Sequence, residues 1–200
     1  MGLETSLNDS NQKMRKTLLI STHYPLPENI FTSIRTMNFV RFFKKYVSVD
    51  IGYSQVLDQN QIGNPIFSNE FRLETIKFSN IKTRLINGLI TGCPIPISQF
   101  SENTRKRLLI NINSSDYDHI LIRTLYNTSI FFKLPAKYQT RTIIDYDDLL
   151  SGSLYKPISA HRPLKKIIAN LLNKLNKRLL SNHERKCLGS VAALFCSEND

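Results

Sequence analysis

The feature that most constrains this chain is the alternation of strand-like and helix-like segments along almost its whole length. Six short segments are apolar or alternate in polarity, as strands do: 16–22, 47–53, 71–78, 119–123, 141–144 and 191–196. Five segments between them carry apolar residues at helical spacing: 30–45, 81–90, 98–112, 125–134 and 164–188. Strands that alternate with helices form one parallel sheet with both faces covered. The sequence therefore predicts an α/β fold.

The domain organisation follows from length and from where the pattern begins. Residues 1–15 are polar and aperiodic, which predicts a loose leader, and residues 16–200 are the size of one domain.

The longest apolar run, 191–196, is far shorter than the ~20 residues of a membrane-spanning helix. The apolar run behind the first cations, Leu18 to Ile20, is too short for a signal peptide. With three cysteines that lack C-x-x-C spacing, these features predict a reduced, cytoplasmic chain without disulfides.

Positive charge is concentrated in one segment. The net charge is +11, and residues 161–190 hold eight of the cations against the single acid Glu184. The apolar stripe of this helix, at positions 164, 168, 171, 172, 175 and 179, predicts one face packed on the sheet. Five cations then either face a membrane surface or form a solvated face that only keeps the domain soluble: Lys165, Lys166, Lys174, Lys177 and Arg178. An anionic membrane, a nucleic acid or another acidic partner all fit such a charge. Nucleic acid is not expected, because the helix has no aromatic side chains to stack on bases.

Candidate ligand-binding residues follow the strands, because ligands of open parallel sheets bind beyond the carboxyl ends of the strands. Arg35, on the first helix, either faces a phosphate or is solvated. Arg123 closes an apolar strand, where a charge is costly unless it is paired. It either pairs with Asp145 or Asp147 on a neighbouring strand end or contacts a ligand directly, together with Tyr126. The chain has neither G-x-G-x-x-G nor G-K-[ST], so the sequence predicts no self-sufficient nucleotide site.

The acidic cluster Asp145, Asp147 and Asp148 has two interpretations. Three carboxylates at a strand end suit a divalent cation, whereas helix capping and pairing with Arg123 are structural roles. Because Arg123 repels a cation at this strand end, we expect the cluster to line the floor of a cleft without a metal ion. The four histidines, His23, His119, His161 and His183, lack metal-ligand spacing and are expected to be structural or at the surface.

Five motifs occur in an order that resembles a known family. They are Tyr24-Pro25-Leu26-Pro27 with Ile34-Arg35-Thr36-x-Asn38, Gly92-Cys93-Pro94, the segment 118–126 (DHILIRTLY), the segment 144–149 (IDYDDL), and His183-Glu184-Arg185-Lys186-x-Leu188 followed by VAALFCSEND. This order resembles the N-terminal, acceptor-side half of GT-B glycosyltransferases. Within that fold, the sequence resembles the large family-four-like group of retaining enzymes, which take part in the synthesis of bacterial polysaccharides and lipid-linked sugars.

The resemblance implies a Rossmann-like sheet and an acceptor cleft formed by Arg35, Arg123, Tyr126, Asp145, Asp147 and Asp148. It implies a hexosyltransferase-like enzyme, cytoplasmic and peripheral on the inner face of the membrane, with a glycan or lipid-linked acceptor and a nucleotide-sugar donor. The donor would bind mainly to a C-terminal domain beyond Asp200, so we expect this chain alone to bind no cofactor and to be inactive.

Two departures from the family limit what carries over. The donor-phosphate loop corresponds to Asn29, Phe31 and Thr32, and Phe31 and Thr32 stand where relatives often have a glycine pair. A glycine pair lets backbone amides approach the donor diphosphate, so we expect weak or no binding of nucleotide sugars here. Relatives often have a histidine at the position of Arg123 or Asp147, and no catalytic role is assigned to either residue.

Two other functions remain open. One is a non-catalytic basic module that docks on an anionic membrane or nucleic acid through residues 161–190. The other is divalent-metal chemistry at residues 145–148.

Overall fold

The computed structural model describes residues 15–28, 31–55, 65–78, 81–95, 97–146, 163–189 and 193–195. Within these ranges only the backbone is described at 31, 32, 81, 82, 163–166, 168, 169 and 193–195. The first fourteen residues, which belong to the predicted leader, lie outside the described residues.

The described strands and helices follow one another in the predicted order, with the short helix at Ala136–Gln139 in addition. The strands are β1 (Lys16–His23), β2 (Ser48–Gln55), β3 (Glu70–Arg72), β4 (His119–Arg123), β5 (Thr142–Asp145) and β6 (Ala193–Phe195). The helices are α1 (Phe31–Phe43), α2 (Ile81–Thr91), α3 (Glu102–Ser115), α4 (Ala136–Gln139) and α5 (Pro163–Leu188), with a 3-10 helix at Leu125–Lys133. The strands form one sheet in the order β3-β2-β1-β4-β5-β6, and every neighbouring pair is parallel.

Both faces of the sheet are covered, and β1 shows this directly. Leu18 and Ile20 are buried in a core that also contains residues of α3 and α5, whereas Leu19, between them, is buried with residues of α1. Side chains along a strand point alternately to opposite faces, so the two cores lie on opposite sides of the sheet. The predicted Rossmann-like α/β fold is confirmed.

The third strand is shorter than the predicted 71–78. It pairs with β2 only over Glu70–Arg72. Beyond it, Thr75 forms an isolated antiparallel bridge with Phe100, and Ile76 N donates to Gln99 O at 2.6 Å. Leu73 N still donates to Tyr53 O of β2 at 2.6 Å, but from Glu74 onward the described backbone hydrogen bonds join this segment to the chain before α3.

The helix predicted from residue 98 begins at Glu102. Ser98 N donates to Tyr126 O at 2.7 Å, and Phe100 takes part in the bridge to Thr75, so neither residue is available to a helix. Ser101 is the N-cap, and its hydroxyl accepts from Thr104 N at 3.2 Å. A side chain that accepts a free amide of the first turn is a common start signal of a helix.

The prediction that an apolar stripe of the long helix packs on the sheet is wrong at Leu171 and Leu175. Both are exposed, Leu172 and Leu179 are half-buried, and the side chains at 164 and 168 lie outside the described residues. The buried face of α5 instead consists of Asn176, Leu180, His183, Glu184 and Cys187. Polar members of that face are accommodated by hydrogen bonds, such as Ile95 N to Asn176 Oδ1 at 2.9 Å. Hydrophobic periodicity alone does not reveal partners of this kind.

Candidate functional site

A cleft opens at the carboxyl ends of β1 and β4, and its volume is about 770 Å³. The strand order reverses direction between these two strands, and ligands of open α/β sheets bind at such a point. The cleft is lined by residues of seven segments: Ser21, Thr22, His23, Thr36, Gln55, Thr75, Ile76, Lys77, Phe78, Arg84, Ile95, Ser98, Gln99, Arg123, Thr124 and Tyr126. Two of the predicted cleft residues, Arg123 and Tyr126, are therefore on its wall.

Arg123 reaches the cleft from a buried position. It is the last residue of β4 and lies in register with Asp145, the last residue of β5. The two side chains form an ion pair with exposures of 1% and 0%. Nε of Arg123 also donates to Thr36 Oγ1 at 3.3 Å, and its guanidinium lies 5.5 Å from the ring centre of Phe39. Of the interpretations left open by the sequence, the structure supports pairing with Asp145.

Arg35 and Asp145 lie behind the cleft wall. Arg35 Nη2 donates to Asp145 Oδ1 at 2.7 Å, and the arginine side chain retains an exposure of 26%. One buried carboxylate therefore contacts two guanidinium groups, one from α1 and one from β4. The sequence predicted Asp145 on the floor of the cleft, but this residue is fully buried and is not among those that line the cleft.

Asn127 connects the ends of the two central strands. Its Nδ2 donates to Thr22 Oγ1 at 3.0 Å and to Arg123 O at 2.9 Å, and the side chain is fully buried. Asn127 belongs to the 3-10 helix that follows β4 directly. Asn127 therefore joins the carboxyl ends of β1 and β4 beside the cleft.

Thr124 has an unusual backbone at the centre of this cleft. Its φ is 67° and its ψ is 148°, a region that β-branched residues rarely adopt. Its N–H donates to Asp145 O at 3.0 Å, and its hydroxyl lies 3.4 Å from that of Thr22. Strained backbone of this kind costs about 1–3 kcal/mol and clusters at ligand sites.

Thr124→Gly is expected to raise the free energy of unfolding by about 1 kcal/mol, because glycine adopts this backbone without steric strain. Urea unfolding monitored by circular dichroism measures the change. Thr140→Gly is the matched control, since Thr140 is exposed with an ordinary φ of −68°, and it is expected to lower stability. Equal destabilisation by both substitutions would contradict strain at Thr124.

The chemistry of the cleft favours anions. Its described lining contains the cations Lys77 and Arg84, together with Arg123, whose charge is paired with Asp145 behind the wall, and includes no aspartate or glutamate. Burial lowers the pKa of His23, so its imidazole is neutral near pH 7. Buried Nδ1 of His23 has no hydrogen-bond partner among the described residues.

Sequence reasoning missed His23, Lys77 and Arg84 as cleft residues. His23 carried a usable signal, since it ends a buried parallel strand, where ligands bind. No signal of this kind marked Lys77 and Arg84 in the sequence, because these residues reach the cleft only through the path that the chain takes after β3.

Several predicted site residues are outside this description. Asn29, Asp147 and Asp148 lie beyond the described ranges, and Phe31 and Thr32 begin α1 with side chains that are not described. The described residues contain no group of three or more histidine, cysteine or acidic side chains suited to a metal ion. Cys93 and Cys187 are free thiols, and burial raises the pKa of each to about 11.

Comparison with known proteins does not identify a family. No protein-family model matches the chain, and no curated protein matches its sequence.

Proposed function

We propose that this domain is the acceptor-binding half of a GT-B glycosyltransferase, and that its cleft holds an acceptor with a phosphate group. The observation that carries this proposal is the cleft of about 770 Å³ at the reversal of strand order, whose described lining includes three cations and no acid. A cleft with this charge favours an anionic ligand, and its position is the usual ligand site of such sheets.

The convergence of separate sequence motifs also supports this proposal. Arg35 comes from the first motif of the resemblance, Arg123 and Tyr126 from the third, and Asp145 from the fourth. In the fold, Arg35 and Arg123 contact the same carboxylate, and Tyr126 lies on the wall beside them. Motifs that are up to 110 residues apart in sequence meet at one end of the sheet.

The proposed reaction assigns distinct tasks to the two halves of the enzyme. An acceptor hydroxyl oxygen bonds to the anomeric carbon of the donor sugar, and the bond from that carbon to the diphosphate oxygen breaks. The proton of the acceptor hydroxyl passes to the leaving diphosphate oxygen, and the nucleoside diphosphate leaves. In this proposal Lys77 and Arg84 bind the acceptor phosphate, and the ring of Tyr126 packs on a sugar face. Neutral His23 accepts a hydrogen bond from an acceptor hydroxyl. The donor is bound by the other half.

Isothermal titration of this chain with inorganic pyrophosphate, glucose 1-phosphate and uncharged methyl glucoside tests the cleft. We expect both phosphates to bind more tightly than the glucoside. Lys77→Gln with Arg84→Gln is expected to weaken phosphate binding by about 10-fold or more, because each charged hydrogen bond contributes about 1.5–3 kcal/mol. Lys106→Gln with Arg107→Gln removes the same charge from exposed positions of α3 and is expected to leave binding unchanged.

The same titration with uridine, guanosine and adenosine diphosphate sugars tests the assignment to the acceptor side. We expect weak or no binding by this chain, and micromolar affinity would contradict the proposal.

For activity, the complete natural polypeptide that carries this sequence is incubated with bacterial membranes and the labelled nucleotide sugars. Transfer of label to lipid or polysaccharide, lost in the Lys77 and Arg84 double variant, is the expected result. No transfer from any donor would leave a non-catalytic binding module as the better explanation.

A further inference from the structure

A second cavity, of about 760 Å³, lies beside the second half of α5. Its other walls are the end of α2, the first turn of α3, the 3-10 helix, and Ile76, Gln99 and Phe100. It shares only Ile76 and Gln99 with the described lining of the cleft, and the hydrogen bond from Ile76 N to Gln99 O lies in the wall between the two. We call this cavity the α5 pocket. Small-molecule sites have volumes of ~300–1,000 Å³, so the α5 pocket is large enough for a ligand of its own.

The inner wall of the α5 pocket is apolar and aromatic. Phe100 and Phe132 are half-buried and pack against the core that contains Ile130. The ring of Phe132 meets the imidazole of His183 edge to face, with the ring centres 5.0 Å apart and an angle of 76° between the planes. Burial, with a smaller effect of Lys186, lowers the pKa of His183 to about 4, so this ring is uncharged at pH 7. Uncharged rings at the wall of a cavity favour a ligand with an aromatic body, since aromatic rings pair in edge-to-face and offset geometries.

The rim of the α5 pocket is cationic. Lys133 of the 3-10 helix and Arg185 and Lys186 of α5 are exposed there, and none of the three has an acidic partner among the described residues. Arg105 is the fourth cation, and it pairs at 2.8 Å with Glu102, the one acid of the described lining. The rim therefore carries a net positive charge. Neither α5 nor any other described helix is both long and apolar enough to cross a membrane.

We propose that the α5 pocket binds a small aromatic anion, with the aromatic body against Phe100 and Phe132 and the anionic group at the cations of the rim. Small-molecule sites combine a mainly apolar wall with a few polar groups that fix the orientation of the ligand. Charge complementarity selects an anion, because a carboxylate or phosphate forms strong, charge-assisted hydrogen bonds with lysine and arginine. This inference does not depend on the activity of the cleft.

Fluorescence titration of the chain with anilinonaphthalene sulfonate and with uncharged phenylnaphthylamine tests the proposal, because the two probes share their aromatic body and differ by the sulfonate. We expect saturable binding of the sulfonate at one site per chain, tighter than that of the uncharged probe by about 10-fold or more. Lys133→Gln with Lys186→Gln is expected to remove most of this preference. Leu179→Ala, at a half-buried position of the pocket wall, is expected to weaken the binding of both probes by about fivefold or more.

Matched variants separate the α5 pocket from net charge, from exposed apolar residues and from the cleft. Lys44→Gln with Lys45→Gln removes the same charge from exposed positions at the end of α1. Leu171→Ala removes an exposed leucine of α5 outside the pocket. Lys77→Gln with Arg84→Gln changes the cleft alone. We expect all three controls to bind both probes as the wild-type chain does. Circular dichroism verifies that each variant is folded.

Competition identifies the anionic group of the ligand. Naphthoate and naphthyl phosphate are expected to displace the sulfonate probe, and the tighter of the two shows whether the pocket prefers a carboxylate or a phosphate. Inorganic pyrophosphate, which lacks an aromatic body, is expected to leave the probe in place.

Three outcomes would overturn the proposal. The first is equal affinity of the wild-type chain for the two probes, or no saturable binding of either. The second is a loss of binding in a control variant as large as that in the pocket variants. The third is failure of both naphthyl anions to displace the probe. A loss confined to the Lys77 and Arg84 variant would place the probe in the cleft, which would leave the proposed function intact and contradict this second site.

Discussion

Replacing Asp145 by asparagine is expected to lower the free energy of unfolding by about 3–5 kcal/mol, the usual cost of removing one partner of a buried ion pair. The substitution keeps the shape of the side chain but removes the negative charge that contacts Arg35 and Arg123. Arg123 has an exposure of 1%, so the substitution leaves a buried guanidinium group without its charged partner on β5. Chemical unfolding at pH 7 measures the change.

A graded series distinguishes this ion pair from generic damage to the strand. Arg123→Met is expected to cost less than Asp145→Asn, because Arg35 still contacts the carboxylate. Arg35→Met is expected to cost about 1 kcal/mol or less, since Arg35 is partly exposed and its pair is screened by solvent. The double variant Arg123→Met with Asp145→Leu is expected to recover much of the loss, because an apolar pair replaces two buried charges. Equal losses for all three single variants would contradict the arrangement.

Stability is expected to fall by about 3 kcal/mol between pH 7 and pH 4 through His183 alone. Burial, with a smaller effect of Lys186, lowers the pKa of His183 to about 4, against 6.5 in the unfolded chain. Between these two values the unfolded state binds a proton that the folded state does not bind. The contribution of His183 is therefore complete above pH 6.5 and is lost progressively as the pH falls towards 4.

The hydrogen bonding of His183 suggests the variant that tests this. Thr128 Oγ1 donates to Leu125 O at 2.6 Å, so it accepts from His183 Nε2, which lies 2.8 Å away. His183→Gln keeps a donor for Thr128 but does not titrate. Unfolding measured at pH 7.5, 5.5 and 4.5 is expected to show a smaller pH dependence in this variant than in wild type. His119→Gln, at an exposed position of β4, is the control and is expected to follow wild type. Identical slopes for all three proteins would show that His183 does not control acid stability.

Local sequence determined the α/β fold because the main elements carry their own periodicity. The strand at His119–Arg123 was predicted with the same bounds, since a short apolar run rich in isoleucine and leucine between polar residues is typical of a buried parallel strand. The position of the ligand cleft at the strand ends also follows from parallel topology. Sequence reasoning left three alternatives for Arg123, namely pairing with Asp145, pairing with Asp147 and direct contact with a ligand. Strand register sets Asp145 opposite Arg123.

Tertiary structure alone decided what the cleft is made of and which face of α5 is covered. Lys77 and Arg84 reach the cleft because the chain after β3 leaves the sheet and bonds to residues 99–101, a path that no local pattern encodes. The face of α5 that packs on the core contains Asn176, His183 and Glu184, while Leu171 and Leu175 remain exposed. Periodicity shows which residues of a helix are apolar. Whether a polar residue is buried depends on partners far away in sequence that form hydrogen bonds with its side chain. The fold class therefore follows from local physics, and the chemistry of the surfaces follows from long-range contacts.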